Sequence, residues 1–179
     1  NPKWISTEPN FDDFYAIWDT FRATHPLFTL LTPSVQSNMV RSLIDIYRNE
    51  GYMPDARSGN DNGRVQGGSK DRLKNAEVAP GGDERKEGRG GLADYNSLGY
   101  VSSAYERCLT RTFEYSNCDF AIATVADRLG KQDIANKYYK NASNWQNTWN
   151  DKITSLGFSG FAWPRNEEGK YWDKEHFST

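Results

Sequence analysis

The 179-residue chain is nearly balanced in charge, with 22 lysines and arginines against 24 aspartates and glutamates. Nucleic acids and anionic membranes usually require a clustered basic surface, so this balance argues against both kinds of partner. No apolar run reaches about 18 residues, which argues against a helical membrane span, and the start of the sequence lacks the features of a signal peptide. Aromatic residues make up 14% of the chain, which fits either a large helical core or a carbohydrate cleft.

Two helices are predicted in the first fifty residues. The first begins near Phe11 and is expected to end or kink before Pro26, because proline disfavours helical geometry at the preceding residue. The second begins at Pro33 with Thr32 as its cap and continues, with apolar residues at helical spacing, to a stop at Gly51. The two helices are expected to pack antiparallel.

The first predicted helix carries a block of charged and aromatic residues. On a continuous helix, Asp19 and Arg22 lie on one stripe and Trp18 lies on the next. A carboxylate and a guanidinium can each bind two neighbouring sugar hydroxyls while an indole covers the C–H face of the ring, so all three are candidate sugar ligands. The alternative is a structural i, i+3 ion pair beside a core tryptophan, and the pattern alone leaves both open.

A long glycine-rich stretch separates these helices from two more. Residues 51–99 contain eleven glycines and are predicted to be mostly loop. A third helix is predicted from about Ala104 to Leu129, and a fourth carries apolar residues from Ile134 to Trp149, which gives an αα-hairpin. The tail from Gly157 onward is predicted to be loop.

Three isolated residues suggest the redox state and processing of the protein. Cys108 and Cys118 are ten residues apart on the third predicted helix, about 15 Å by helical rise, which is too far for a disulfide. We therefore expect buried free thiols. Asn141 begins the only sequon that we identify, Asn-Ala-Ser, which is a candidate N-glycosylation site of a secreted protein.

The loop SGNDNG, residues Ser58 to Gly63, places Asn60 and Asp61 between glycines. Such oxygen-bearing side chains suit calcium, but an EF-hand counted from Ser58 would need glutamate where Ser69 stands, so that motif is excluded. Asn and Gly also form tight turns with no further role. A plain turn and a ligand-facing loop both remain open.

The third predicted helix carries a second group of polar residues. Arg111 and Tyr115 share a face, and Glu114 is placed to pair with Arg111. Glu114 and Asp119 point in different directions on a helix, so they are not expected to act as acid and base on one bond. Glu114 is a candidate binding residue, and a structural ion pair is the alternative. With two histidines in the chain, no zinc-binding spacing occurs.

Four sequence blocks, in order, carry a resemblance to glycoside hydrolase family 92. They are WDTFRATHPL, GNDNGRVQGGS, KEGRGGLADYNSLGYV and TRTFEYSNCDFAIA. The resemblance extends from about Phe11 to Trp172 and looks nearest to the fungal secreted branch. Members are calcium-dependent, inverting, exo-acting α-mannosidases. The resemblance therefore implies an all-α fold in which residues 1–179 form one segment of a catalytic (α/α)6 toroid.

The resemblance also implies where the functional residues lie. Those expected to bind substrate are Trp18, Asp19, Arg22, Asn60, Asp61, Arg64, Arg89 and Glu114. An inverting glycosidase needs a carboxylic acid and a carboxylate base about 6.5–9.5 Å apart. The family motifs for both do not occur before Thr179, so the acid, the base and most calcium ligands are expected downstream, and this chain alone is expected to be inactive. The family's helix after Ser69 is absent from the sequence, so a helix is expected to be missing near residues 69–70.

The implied protein is secreted, acts on mannose-containing glycans and works with the remainder of the same enzyme. Two alternatives remain at this point. One is a non-catalytic helical fragment that binds carbohydrate or assembles with a partner chain. The other is an exo-glycosidase of another (α/α)6 family, such as the glucoamylase or trehalase type.

Overall fold

A computed structural model describes residues 4–11, 17, 19–50, 57–58, 61–62 and 90–173. The chain divides into two compact units, one containing the described residues up to 62 and the other containing residues 90–173. The predicted missing helix near residues 69–70 lies outside the described residues.

The described part of the first unit starts with residues 4–11, which have no regular secondary structure and are joined by side-chain hydrogen bonds to a long helix, α2 (Pro33–Glu50). The indole Nε1 of Trp4 donates to Asp45 Oδ2 at 2.9 Å, and Arg41 Nε donates to Glu8 Oε2 at 2.7 Å. Helix α2 starts at Pro33, as predicted. The backbone N–H of a first helical residue has no partner within the helix, so proline, which lacks that N–H, loses no hydrogen bond there. Gly51, the predicted stop, lies outside the described residues.

A short helix, α1 (Thr24–Leu31), precedes α2 and begins where the first helix was expected to end. Pro26 is its third residue, so the prediction of a helix end or kink before Pro26 is wrong. Proline is tolerated in a first turn, whose N–H groups have no partner within the helix. Phe11 and Ile17 lie outside regular helix, and residues 12–16 are not among those described. His25 Nδ1 lies 2.9 Å from Gln36 Oε1, which joins α1 to α2.

Two two-residue strands, β1 (Arg57–Ser58) and β2 (Asp61–Asn62), form a small antiparallel pair within the region expected to be loop. The second unit begins at the other end of that region with helix α3 (Leu92–Leu98). The loop prediction is therefore wrong at residues 92–98. Glycines bound the helix on both sides: Gly91 has φ 74° and Gly99 has φ 76°, a conformation that glycine adopts without strain. Gly91 and Gly99 therefore mark the two ends of a short helix and are not part of one continuous loop.

Helix α4 (Cys108–Arg128) starts four residues later than the predicted Ala104. Arg107 takes a left-handed conformation, with φ 57°, and so interrupts helical geometry at that point. After Gly130, helix α5 (Gln132–Ala142) packs against α4 and confirms the predicted αα-hairpin. A 3-10 turn over Asn144–Thr148 then continues the chain.

An antiparallel hairpin follows the helices, with strands β3 (Trp149–Ser155) and β4 (Phe158–Ala162). The described fold is mainly helical, but the hairpin means that all-α is not accurate. Trp149 begins β3 and does not continue the fourth helix, and the tail contains β4 where loop was expected. Leu156 and Gly157, with φ 50° and 83°, form the two-residue connection, which requires positive φ to match the twist of the strands.

The core of the second unit is built from Tyr95, Val101, Cys108 and Tyr115. Tyr95 and Tyr115 meet edge to face, with ring centroids 5.4 Å apart, a favoured aromatic geometry. Both cysteines are buried and free, as predicted. Within the described part of the chain, no helix has the length and apolar character to cross a membrane.

Candidate functional site

Asp19 and Arg22 form an exposed ion pair in the first unit. Arg22 Nε donates to Asp19 Oδ1 at 3.3 Å, and their side chains are 69% (Asp19) and 61% (Arg22) exposed. Asp19 precedes a 3-10 turn, Thr20–Arg22, and Ala23 leaves helical geometry at φ −146°. The expected stripe on one continuous helix is therefore wrong, and the two residues come together through this turn instead.

The geometry of this pair permits both sequence-based interpretations. The i, i+3 ion pair is present, and both side chains are open to solvent. The guanidinium of Arg22 also lies over the ring of Phe21, 4.9 Å from its centroid, which places an aromatic surface beside the charged pair. Binding of a sugar by these two residues stays a prediction.

Several other predicted ligands fall where the structure gives no side-chain description. Trp18, Asn60, Arg64 and Arg89 lie outside the described residues. Asp61 belongs to β2, and the structure describes its backbone only. The substrate-binding roles of these five residues stay predictions.

Helix α4 presents Glu114 half-buried, one position away from a buried face. Arg111, Tyr115 and Asp119 lie on that face, with Asp119 only 1% exposed. Burial lowers the pKa of Arg111, while the nearby Tyr115 and Glu106 act in the opposite direction. Glu114 and Asp119 thus occupy different environments on the helix, and a substrate-binding role for Glu114 stays a prediction.

The sequence analysis missed a buried polar network behind this face. The Tyr95 hydroxyl lies 2.9 Å from Asp119 Oδ2, 3.2 Å from the Asn141 carbonyl and 3.3 Å from Ser116 Oγ. Burial is the main cause that raises the pKa of Tyr95, and Asp119 adds to it. The phenol therefore stays protonated and donates. An aspartate among apolar residues at helical spacing was the signal that could have indicated this network.

A second missed arrangement centres on Arg165, which follows Trp163 and Pro164 just after β4. Its guanidinium donates from Nη1 to the Asn147 carbonyl at 2.7 Å and from Nε to the Gly169 carbonyl at 3.0 Å. The same group lies between the rings of Tyr100 and Tyr171, 4.8 and 5.0 Å from their centroids. Arg165 therefore joins the chain after β4 to the 3-10 turn before β3 and to the later turn at Gly169, which is a structural role.

The described residues do not form a metal centre. No group of three or more His, Cys, Asp and Glu side chains comes together among them. Calcium prefers six to eight oxygen ligands, so the described residues by themselves do not fit a calcium ion.

Comparisons with known proteins assign the chain to a class. The profile described as the glycosyl hydrolase family 92 catalytic domain matches residues 3–73 and 70–178. The two matches overlap at residues 70–73, next to the position of the helix expected to be missing, and that missing helix stays a prediction. A protein of Arthroderma benhamiae, named as an uncharacterized secreted glycosidase, is 33% identical over 190 residues, covering 96% of this chain and 24% of that protein.

Solved structures give the same result. A family 92 inverting mannosidase from Bacteroides thetaiotaomicron superposes with a TM-score of 0.71 at 30% identity, covering 89% of this chain and 24% of the other. A second family 92 α-mannosidase of that organism, in complex with mannoimidazole, gives a TM-score of 0.74 at 20% identity and supports the fold alone. The match covers 95% of this chain and 24% of that structure's chain.

These matches place the chain in the class of glycoside hydrolases. Because the profile spans nearly all of it, the chain belongs to glycoside hydrolase family 92. It spans about a quarter of the length of these relatives.

Proposed function

We propose that this chain is the substrate-binding segment of an exo-acting α-mannosidase that releases terminal α-linked mannose with inversion. The observation that carries the proposal is the exposed Asp19–Arg22 pair, held at 3.3 Å within the WDTFR block of a family 92 chain. The Bacteroides structure that is 30% identical to this chain is described as an inverting mannosidase, which supports the substrate class. The proposal places the chain within a helical toroid.

The chemistry of the pair suits neighbouring hydroxyls of a pyranose. The Asp19 carboxylate accepts hydrogen bonds, while the Arg22 guanidinium donates up to five in a rigid fork. Each hydroxyl of a vicinal diol can donate one hydrogen bond and accept others. The diol can therefore donate to the Asp19 carboxylate and accept from the Arg22 guanidinium, so each side chain finds a partner of the opposite kind. The further contacts in this proposal are Trp18, Asn60, Asp61, Arg64, Arg89 and Glu114. The general acid and base belong to the part of the domain that this chain does not span.

Calcium is part of the proposal through the family and not through the geometry of the described residues. Its ligands are expected mainly outside this chain. When bound, the ion would supply positive charge next to the sugar hydroxyls. The residues of this segment bind and orient the sugar, and no proton transfer is assigned to them.

Secretion and glycosylation follow from the same proposal. The Arthroderma benhamiae relative is named as secreted, and secreted fungal proteins are commonly glycosylated at sequons. Asn141 lies half-buried in the last turn of α5, next to the exposed Ser143 of its sequon. Treatment of the secreted protein with a peptide-N-glycosidase, which hydrolyses the side-chain amide that carries the glycan, should convert Asn141 to aspartate, an increase of about 1 Da over asparagine that peptide mass spectrometry detects. An unmodified Asn141 peptide from that sample would contradict this part of the proposal.

The reaction is tested on the complete polypeptide from its natural host. An aryl α-mannoside should release mannose, and NMR of the first product should show the β-anomer, because an inverting enzyme changes the anomeric configuration. A chelator should abolish turnover, and added calcium should restore it. Hydrolysis of an aryl α-glucoside in preference to the mannoside would contradict the proposed substrate; the glucoamylase and trehalase families themselves are already excluded by the family 92 match. Absence of any turnover with calcium present would support the non-catalytic alternative.

A further inference from the structure

The Arg22 guanidinium contacts an aromatic ring as well as a carboxylate. Its Nε donates to Asp19 Oδ1 at 3.3 Å, and its Cζ lies 4.9 Å from the centroid of the Phe21 ring. A cation within about 6 Å of an aromatic centroid is attracted by the negative face of the ring. The planar guanidinium is well suited to lie on such a face. Phe21 therefore holds the guanidinium by a contact that does not depend on Asp19.

The ion pair by itself does not fix the orientation of the Arg22 side chain. Its 3.3 Å distance is longer than the usual range of about 2.7–3.2 Å for an N–H···O hydrogen bond. Both side chains are mostly exposed, so water competes for each of them. Exposed pairs of this kind are weak, because holding two long side chains in one geometry costs side-chain entropy. The ring of Phe21 supplies the second point of contact that orders the guanidinium.

The backbone of this turn holds the ring in place. Arg22 N donates to the Asp19 carbonyl at 3.2 Å, and Thr20 Oγ1 donates to the Ile17 carbonyl at 2.8 Å. Thr20 and Phe21 are half-buried, whereas Asp19 and Arg22 are exposed. The middle of the turn is thus packed in the protein, while the charged group that lies on the ring is open to a ligand.

We propose that Phe21 is a positioning residue that holds the Arg22 guanidinium in the orientation that binds a sugar hydroxyl. This inference rests on the proposed function, because Phe21 acts only through Arg22. A side chain that is ordered before binding loses less conformational entropy when the ligand arrives, which strengthens binding. The role differs from the one expected of Trp18, which is to cover the C–H face of the sugar. The guanidinium already covers the ring face of Phe21 that it lies against, so that face does not pack on the sugar.

The inference is tested in the complete enzyme by steady-state kinetics on an aryl α-mannoside. Phe21→Leu keeps an apolar side chain but removes the ring, and it should lower kcat/KM about 2- to 5-fold, the size expected for an exposed cation–π contact. Phe21→Tyr keeps the ring and should keep the original kcat/KM. Phe28→Leu is the matched control, because Phe28 is also half-buried but its ring meets the imidazole of His25, with centroids 6.3 Å apart.

Phe28→Leu should leave kcat/KM unchanged. An unchanged kcat/KM in Phe21→Leu would overturn the inference. So would a loss that Phe21→Tyr or Phe28→Leu shares, because a general loss of packing would then explain it.

A double-mutant cycle separates this role from direct contact with the sugar. Phe21→Leu is repeated in an Arg22→Gln background, which lacks the guanidinium. If Phe21 acts through Arg22, its replacement should have no further effect on kcat/KM there. An equal loss in both backgrounds would overturn the inference.

The Arg22→Gln variant alone tests the proposed function. It should lower kcat/KM about 10- to 100-fold, because a charged hydrogen bond to the substrate is lost. An unchanged value would contradict the sugar-binding role of Arg22 itself. A loss in Arg22→Gln without one in Phe21→Leu would overturn the positioning role of Phe21 and leave the proposed function standing.

Discussion

Replacing Tyr95 by phenylalanine removes one oxygen from the centre of the second unit. That hydroxyl has one proton, and the shortest contact, 2.9 Å to the Asp119 carboxylate, receives it. Asp119 is 1% exposed, so water does not replace the lost donor. A hydrogen bond to a charged group contributes about 1.5–3 kcal/mol, and a buried acceptor left with one partner fewer adds to the loss. Tyr95→Phe should therefore lower the free energy of unfolding by about 2–3 kcal/mol.

Urea unfolding followed by circular dichroism at 222 nm measures this change. For a chain of this size, each kcal/mol corresponds to about 2–4 °C in Tm, so a loss of about 4–12 °C is expected. Tyr139→Phe is the matched control, because Tyr139 is 39% exposed and its substitution should stay within about 0.5 kcal/mol. The reasoning is refuted if Tyr95→Phe is as neutral as Tyr139→Phe. The raised pKa of Tyr95 means that its contribution is complete below about pH 10 and is lost only as the pH rises towards the folded pKa.

Three further substitutions or treatments test the described packing. Arg165→Lys and Arg165→Ala should each lower the free energy of unfolding in urea, the alanine variant by about 2–3 kcal/mol and the lysine variant almost as much. Lysine cannot reproduce the planar donors that reach the carbonyls of Asn147 and Gly169. Full stability of the lysine variant would contradict this role. Gly91→Ala should lower the free energy of unfolding by at least about 1–2 kcal/mol more than Gly130→Ala. Both glycines have positive φ, but only at Gly91 would an added Cβ lie 2.8 Å from Val101 Cγ1. Equal losses in the two variants would show that Val101 moves away from the added Cβ at no cost. Burial raises the pKa of Cys108, so at pH 8.5 a smaller fraction of Cys108 is thiolate than of an exposed cysteine. Iodoacetamide should therefore modify Cys108 only after unfolding, as measured by peptide mass spectrometry. Rapid labelling of Cys108 in the native protein would refute its burial.

The sequence predicted those parts of the fold that depend on helical periodicity. Helix α2 begins at Pro33 as expected, and the α4–α5 hairpin follows from apolar spacing on either side of Gly130. Turn chemistry was less well predicted. Pro26 was interpreted as a helix end, although it lies in the first turn of α1, where proline is tolerated.

The β3–β4 hairpin was missed because its turn uses Leu156 and Gly157, with positive φ at both positions, rather than the usual Asn-Gly pair. Trp149 also continues the apolar spacing of α5, which hid the change from helix to strand.

In the candidate site, too, contacts between residues close in sequence were predictable and contacts between distant residues were not. The proximity of Asp19 and Arg22 was predictable from their i, i+3 spacing, whereas the Tyr95–Asp119 contact joins residues 24 apart and depends on tertiary packing.

In the proposed enzyme, Asp19 and Arg22 hold the sugar. The most direct measurement compares Asp19→Asn with Glu168→Gln in the complete enzyme, by kcat/KM on an aryl α-mannoside and by Tm. Both carboxylates belong to exposed ion pairs, with Glu168 Oε2 at 2.8 Å from Lys170 Nζ, and exposed pairs contribute about 0–1 kcal/mol to stability. Loss of a charged hydrogen bond to substrate should lower kcat/KM about 10- to 100-fold in Asp19→Asn alone, with Tm nearly unchanged in both variants. Equal kcat/KM values in the two variants, or a fall in Tm for Asp19→Asn with no specific kinetic defect, would show that the pair is only structural.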